Sequence, residues 1–283
     1  MARFLFIHQN FPGQFRSLAP ALAEAGHEVR ATTMRSGSPR NWQGVDLLFY
    51  KLQEKSLTHQ HPWLSDIETK LLRGRACLAA MREMRWEGFV PDVVVAHPGW
   101  GEALFVREVW PETKIVMYGE FFYRAKGLDV DFDPEFQASN EAQRGKLRMR
   151  NANHLLHLDA ADVVLCPTHW QASTFPPEYR DKIRVIHDGV DTAALRATPR
   201  QPLTLQAPGA AAGVVQIAPG DEVVTFVSRN LEPYRGYHVF MRALPELLRR
   251  RPKARVLIVG GDEVSYGARP DPATAAGGRR AHQ

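Results

Sequence analysis

An α/β fold built on a parallel sheet, with a large first unit and a short second one, is predicted by three observations on this 283-residue chain. Seven short runs rich in β-branched and aromatic residues recur up to about residue 190, several of them separated by helical stretches. Most of these runs are apolar without clean alternation, the mark of strands covered on both faces. A stretch rich in Ala, Pro and Gly then precedes one last strand, loop, helix and strand.

The first strand is RFLFIHQ, and the helix GQFRSLAPALAEAG follows it through the turn at NFPG. EVRATTM and VDLLFYKL are the next strands. A long helix is predicted over SDIETKLLRGRACLAAMREMRWEGF, where Ser65 and Glu68 have capping-box spacing. PDVVVAH, KIVMYGEF, ADVVLCPT and KIRVIHDG complete the series. Strands alternating with helices imply right-handed crossovers in a parallel sheet, here a domain over residues 1–190. Residues 191–222 read as a linker with one irregular hairpin. Residues 223–267 give a βαβ unit from EVVTFVS, YHVFMRALPELLRRR and ARVLIVGG, and residues 268–283 have the small polar composition of a disordered tail.

Composition excludes several function classes. The 44% hydrophobic and 24% charged content is that of a globular protein. A net charge of +5, from 36 basic and 31 acidic residues without a long basic block, argues against a nucleic-acid partner. Two cysteines, Cys77 and Cys166, do not make a disulfide framework, which points to a reducing cytoplasm. The opening MARFLFIHQNFPG has an apolar run of strand length, too short for a signal-peptide core or a membrane span.

The most informative stretch is VSRNLEPYRGYHVF, residues 227 to 240, read as a loop carrying Arg229, Arg235 and Gly236 from an apolar strand into a helix. Such a loop lies at the carboxyl ends of the strands, where the next helix offers free N–H groups and a partial positive charge. Two added guanidinium groups suit a diphosphate. Fixed cations there stabilise the charge that develops on a departing diphosphate.

The same residues, Ser228-Arg229-Asn230-Leu231-Glu232-Pro233-Tyr234-Arg235-Gly236, resemble the G-R-x-x-P-x-K-G loop of glycosyltransferase family 4, with Arg235 in the place of the usual Lys and Ser228 in that of Gly. VIHDGVD is similar to the family's V-I-P-N-G-V-D, and FIHQNFPGQFRSLAPALAEAGHEV to its opening. The resemblance covers about residues 1 to 266. It implies a GT-B-like fold: a complete N-terminal Rossmann-like parallel-sheet domain on the acceptor side and a partial second Rossmann-like βαβ unit for the nucleotide sugar. The implied parent activity is retaining transfer of a sugar from a nucleotide diphosphate sugar to an acceptor hydroxyl, with no cofactor and no obligatory metal.

Candidate site residues follow from strand ends and from the resemblance. Gly13 would let backbone approach a ligand, and Gly260 and Gly261 would pack against a nucleotide. His97, beside Gly99 and Gly101 in AHPGWGE, matches a strand-end stretch where family members keep a His near the acceptor. Glu120 in VMYGEFFY stands where many members place a histidine near the reacting sugar. Asp129, Asp131 and Asp133 have the spacing that opens a calcium loop, but Pro134 stands where Gly is needed and Asn140 where the bidentate Glu is needed, so no metal is assigned. The family's E-x7-E stretch has no counterpart after Gly267, so the chain is expected to be truncated and of impaired activity, with apolar surface left exposed on the partial unit. The alternative is a non-catalytic binding or partner subunit retaining the acceptor-side domain. Expected partners are a nucleotide-sugar donor and a carbohydrate, lipid or other hydroxyl acceptor. Peripheral association with the inner face of the membrane, and association through the exposed apolar surface, are compatible with this reading.

Overall fold

The computed structural model describes residues 1–35, 37, 39–53, 61–133, 135, 140–196, 201–206 and 213–265. The expected disordered tail at 268–283 lies outside them. The chain divides into two compact units, Met1–Val190 and Asp191–Gln283.

In the first unit, β1 (Arg3–Ile7) leads through a 3-10 turn at Gly13–Phe15 into α1 (Leu18–Glu24) and β2 (Glu28–Thr33). The single helix expected over GQFRSLAPALAEAG is thus split. Gly13 has φ +48°, outside helical space, and Pro20 tolerates only a place in the first turn of α1, where no intrahelical N–H bond is owed. β3 (Asn41–Trp42) and β4 (Val45–Phe49) form a tight antiparallel hairpin, and α2 (Ser65–Trp86), β5 (Val93–Ala96), α3 (Val106–Val109) and β6 (Lys114–Tyr118) follow. α4 (Glu141–Ala160), β7 (Val163–Cys166), α5 (His169–Thr174) and β8 (Ile183–Val185) complete the unit.

The eight strands are ordered β3-β4-β2-β1-β5-β6-β7-β8, parallel throughout except at β3–β4. Side chains alternate across β1: Leu5 and Ile7 join one core with Met81, Met84, Ile115 and Met117, while Phe6 joins the other with Phe11, Phe15, Val29 and Val95. Both faces of the central strands are therefore buried, which is why their sequences show no polar alternation. The chain runs from β1 outward to β2 and then returns to β5 on the other side of β1, so the sheet's switch point lies between β1 and β5.

The expected Ser65–Glu68 capping box does not form. Leu64, already helical at φ −90° and ψ −17°, is the N-cap, and the Ser65 hydroxyl donates to the Pro62 carbonyl at 3.1 Å. A capping box needs its first residue in extended backbone, and that condition is met at α4, where Asn140 and Gln143 bond each other's backbone N–H. Cys77 and Cys166 are both free thiols in the core.

The second unit holds an antiparallel pair, β9 (Leu203–Gln206) and β10 (Val214–Ile217), and a parallel pair, β11 (Val223–Asn230) and β12 (Arg255–Gly261), linked by α6 (Tyr237–Arg250). Phe226 packs on Phe240 with ring centroids 4.9 Å apart, which seats α6 on β11. On the alternate positions of β11, Val227 is 71% exposed, so its sheet carries apolar surface open to solvent. Among the described residues no helix is long and apolar enough to cross a membrane.

Candidate active site

The loops that leave β1 and β5 flank the switch point, and each begins with a histidine. His8 and His97 follow Ile7 and Ala96, and both are buried. Each accepts, through Nδ1, the N–H of the residue two positions on, Asn10 and Gly99, at 3.0 Å. That bond fixes both rings as the tautomer with the proton on Nε2. His8 then donates from Nε2 to Gln14 Oε1 at 2.8 Å, and His97 donates to Glu120 Oε2 at 3.0 Å.

Gly99 makes room for the His97 ring, and Gly101 lets the same loop pass against Lys70. A β-carbon at Gly99 would come within 2.8 Å of the His97 ring, and one at Gly101 would meet the Lys70 backbone, where φ of +96° already excludes most side chains. Asn153 of α4 donates to the Pro98 carbonyl at 2.8 Å, tying the loop to the helix behind it.

An aromatic wall surrounds the pair. Trp100 lies 4.5 Å from His97 and 4.8 Å from His8 between ring centroids, and Tyr118 stacks on His97 at 5.6 Å. The Tyr118 hydroxyl donates to Asp188 Oδ2 at 2.7 Å, which brings the segment after β8 to the same edge. Burial, with Asp188 beside it, pushes the Tyr118 phenol far above its ordinary range, so it remains a donor. Burial, with His97 nearby, lowers His8 to about 4, so its imidazole is neutral at pH 7. The hydrogen bond from His97 holds the Glu120 carboxyl below its ordinary value. The result is a half-exposed carboxylate held toward its ionised form and oriented by the His97 ring.

Of the residues expected from sequence, the structure brings His97 and Glu120 into direct contact. At Gly13 a β-carbon would fall 2.4 Å from the His8 ring, so the missing side chain makes room for that imidazole. Glu102 is fully buried beneath the loop and accepts from the Tyr50 hydroxyl at 3.0 Å, and burial raises its carboxyl above the usual range. Asp129 and Asp133 accept the backbone N–H groups of Arg124 and Glu135 at 3.0 and 2.9 Å, which is loop-capping work.

In the second unit, Arg229 is on the exposed face of β11 and not in the loop beyond it, because the strand continues to Asn230. Arg235 ends a 3-10 turn, Pro233–Arg235, and Gly236 at φ +72° joins that turn to α6. Gly260 and Gly261 pack on the loop itself, since β-carbons there would meet Leu231 Cδ2 at 2.7 Å and Asn230 Oδ1 at 2.8 Å. They allow close backbone approach within the unit.

Residues 25–195 match the family model of the Glycosyl transferase family 4 group. The chain belongs to that family. No curated protein matches this family 4 chain. Among solved structures it is similar to the catalytic domain of starch synthase IV from Arabidopsis thaliana bound to ADP and acarbose, at 13% identity and a TM-score of 0.57, over 92% of this chain and 68% of that one. It is also similar to the S. aureus MnaA–UDP co-structure, at 12% identity and a TM-score of 0.48, over 99% of this chain and 65% of that one. The glycotransferase of kitacinnamycin gives 14% identity and a TM-score of 0.47, over 96% and 69%. The chain thus spans about two-thirds of the length of these proteins. The likeness to starch synthase IV establishes a GT-B-like α/β fold for this family 4 chain.

His8, Trp100, Tyr118 and Asp188 join the cluster around His97, and the sequence alone did not single them out. A signal for His8 was present, because FIHQN repeats the pattern of VVAHPG: a buried strand followed at once by a histidine.

Proposed function

We propose that this chain carries the acceptor-side site and part of the donor site of a retaining glycosyltransferase, which moves a sugar from a nucleotide diphosphate sugar to an acceptor hydroxyl. The observation that carries the reading is the His97–Glu120 hydrogen bond at the switch point of a family 4 chain, where ligands of open parallel sheets bind.

In this reading Glu120 faces the substrate and His97 positions it. Both ring nitrogens of His97 are committed, Nδ1 to the Gly99 N–H and Nε2 to Glu120, so the imidazole has no lone pair left to act as a base. The second carboxylate oxygen of Glu120 is the group that accepts a hydroxyl of the reacting sugar or acceptor and fixes its approach. Arg229 and Arg235 take the diphosphate in the second unit, helped by the N-terminus of α6. Their charge meets that of the leaving group without an obligatory metal. ADP in the starch synthase structure supports trying adenine nucleotides among the first donors.

The test is a screen of UDP-glucose, ADP-glucose, UDP-N-acetylglucosamine and GDP-mannose, read both as binding and as release of the nucleoside diphosphate. Saturable binding of at least one donor that weakens on Arg229→Ala supports the reading. Binding of none of the four, or binding indifferent to both arginines, overturns it.

A further inference from the structure

We infer that the Trp170 indole and the Phe121 ring form an aromatic platform on the strand-end edge that carries Glu120, and that it binds a flat apolar ring face of the acceptor. The inference rests on the transferase reading above for the acceptor as occupant, but its binding chemistry stands on the platform's own geometry.

Trp170 is the second residue of α5, at the carboxyl end of β7, and Phe121 follows Glu120 directly. Their rings stack with centroids 5.6 Å apart and planes inclined by 27°. One face of the indole packs on Phe121, yet the residue remains 57% exposed, which leaves much of the ring open to solvent. Tyr123 meets the edge of Phe121 at 5.5 Å, and its own ring lies under the Arg150 guanidinium.

This platform is held in place by bonds that a casual surface aromatic lacks. Gly119 lets the chain after β6 run against β7, since a β-carbon there would meet Val164 Cγ1 at 2.5 Å. The Phe122 N–H then donates to Thr174 Oγ1 at 3.0 Å. The Arg124 guanidinium donates to the Ser173 and Thr174 carbonyls at 3.1 and 3.2 Å, closing the carboxyl end of α5. The segment bearing Phe121 and the helix bearing Trp170 are thus strapped together, so a ligand meets a pre-ordered surface and loses little of its binding to ordering it.

An exposed indole face backed by a second ring suits the C–H face of a pyranose or an aryl group, both of which stack on aromatic rings. Phe121 follows Glu120 in the chain, which puts the platform on the loop that also carries the carboxylate. The donor's diphosphate is assigned to arginines in the other unit, which favours the acceptor as occupant.

The experiment measures binding without turnover, by isothermal titration of the whole chain with maltotriose, with 4-nitrophenyl β-D-glucopyranoside and with UDP. Donor breakdown is assayed separately, so a failed platform and a failed transferase reading are told apart. Saturable binding of either sugar probe, weakened about tenfold by Trp170→Ala and held within threefold by Trp170→Phe, supports the platform, and the probe that binds distinguishes a glycan from an aryl source. Binding of neither probe, binding unchanged in Trp170→Ala, or a loss confined to UDP overturns it. Far-ultraviolet circular dichroism should show both variants folded, as expected for a half-exposed position.

Discussion

Lowering the pH from 7.5 to 4 should destabilise the first unit before most of its carboxylates titrate, because three buried histidines refuse a proton in the folded state. Burial is the main cause in each: His8 and His157 are lowered to about 4 and His154 to about 3 from an ordinary 6.5. Above pH 6.5 these imidazoles are neutral in both folded and unfolded chains, and nothing is lost. Between 6.5 and about 4 the unfolded chain takes up protons that the folded one does not, so stability falls as the pH falls and levels off below about 3. Each histidine contributes on the order of 3 kcal/mol at the bottom of that window. The three together are comparable to the whole stability of an ordinary domain, about 5–15 kcal/mol. Urea unfolding followed between pH 7.5 and 4.5, with imidazole titration by nuclear magnetic resonance, measures this directly. A stability that is flat from pH 6.5 to 5, or three imidazoles titrating near 6.5, would refute the reasoning.

Gly13→Ala should cost about 2 kcal/mol or more of stability and displace His8, since it combines φ of +48° with a 2.4 Å clash; a loss of unfolding free energy below about 0.5 kcal/mol in urea would contradict the packing. Arg229→Ala should weaken binding of the productive nucleoside diphosphate tenfold or more, about 1.5–3 kcal/mol, and unchanged affinity in both Arg229→Ala and Arg235→Ala would assign these side chains to solvent. Glu102→Gln, which keeps an acceptor for the Tyr50 hydroxyl in a site that favours the neutral acid, should change stability by less than about 1 kcal/mol, whereas Glu102→Leu should cost more by orphaning that hydroxyl.

The central strands were legible because burial on both faces leaves an unmistakable apolar run, as in RFLFIHQ and PDVVVAH. Helix starts were harder. Ser65 and Glu68 have the right spacing, but spacing does not report that Pro62 to Leu64 already turn helically, while the box that does form begins with Asn140 and Gln143. His97 and Glu120 were readable as strand-end residues, and their contact was not, because it requires β5 and β6 to be neighbours in register. The roles of Gly13, Gly260 and Gly261 depend on what occupies the space above each α-carbon, which no local pattern encodes. Trp170 and Phe121 are 49 positions apart in sequence, and only the order of β6 and β7 brings them together.

The most direct test of the account is a comparison of the wild type with Glu120→Gln and His97→Ala, using the donor that the screen identifies and an acceptor that supports transfer. Glu120→Gln is predicted to leave nucleoside diphosphate affinity within threefold and to lower turnover by about a hundredfold, the low end of what a positioned proton-accepting group contributes. His97→Ala, which frees the carboxylate without removing it, should lower turnover less and raise the acid limb of the pH profile toward an ordinary carboxylate value. Wild-type turnover in Glu120→Gln would contradict the assignment of the crevice between β1 and β5 as the reacting site.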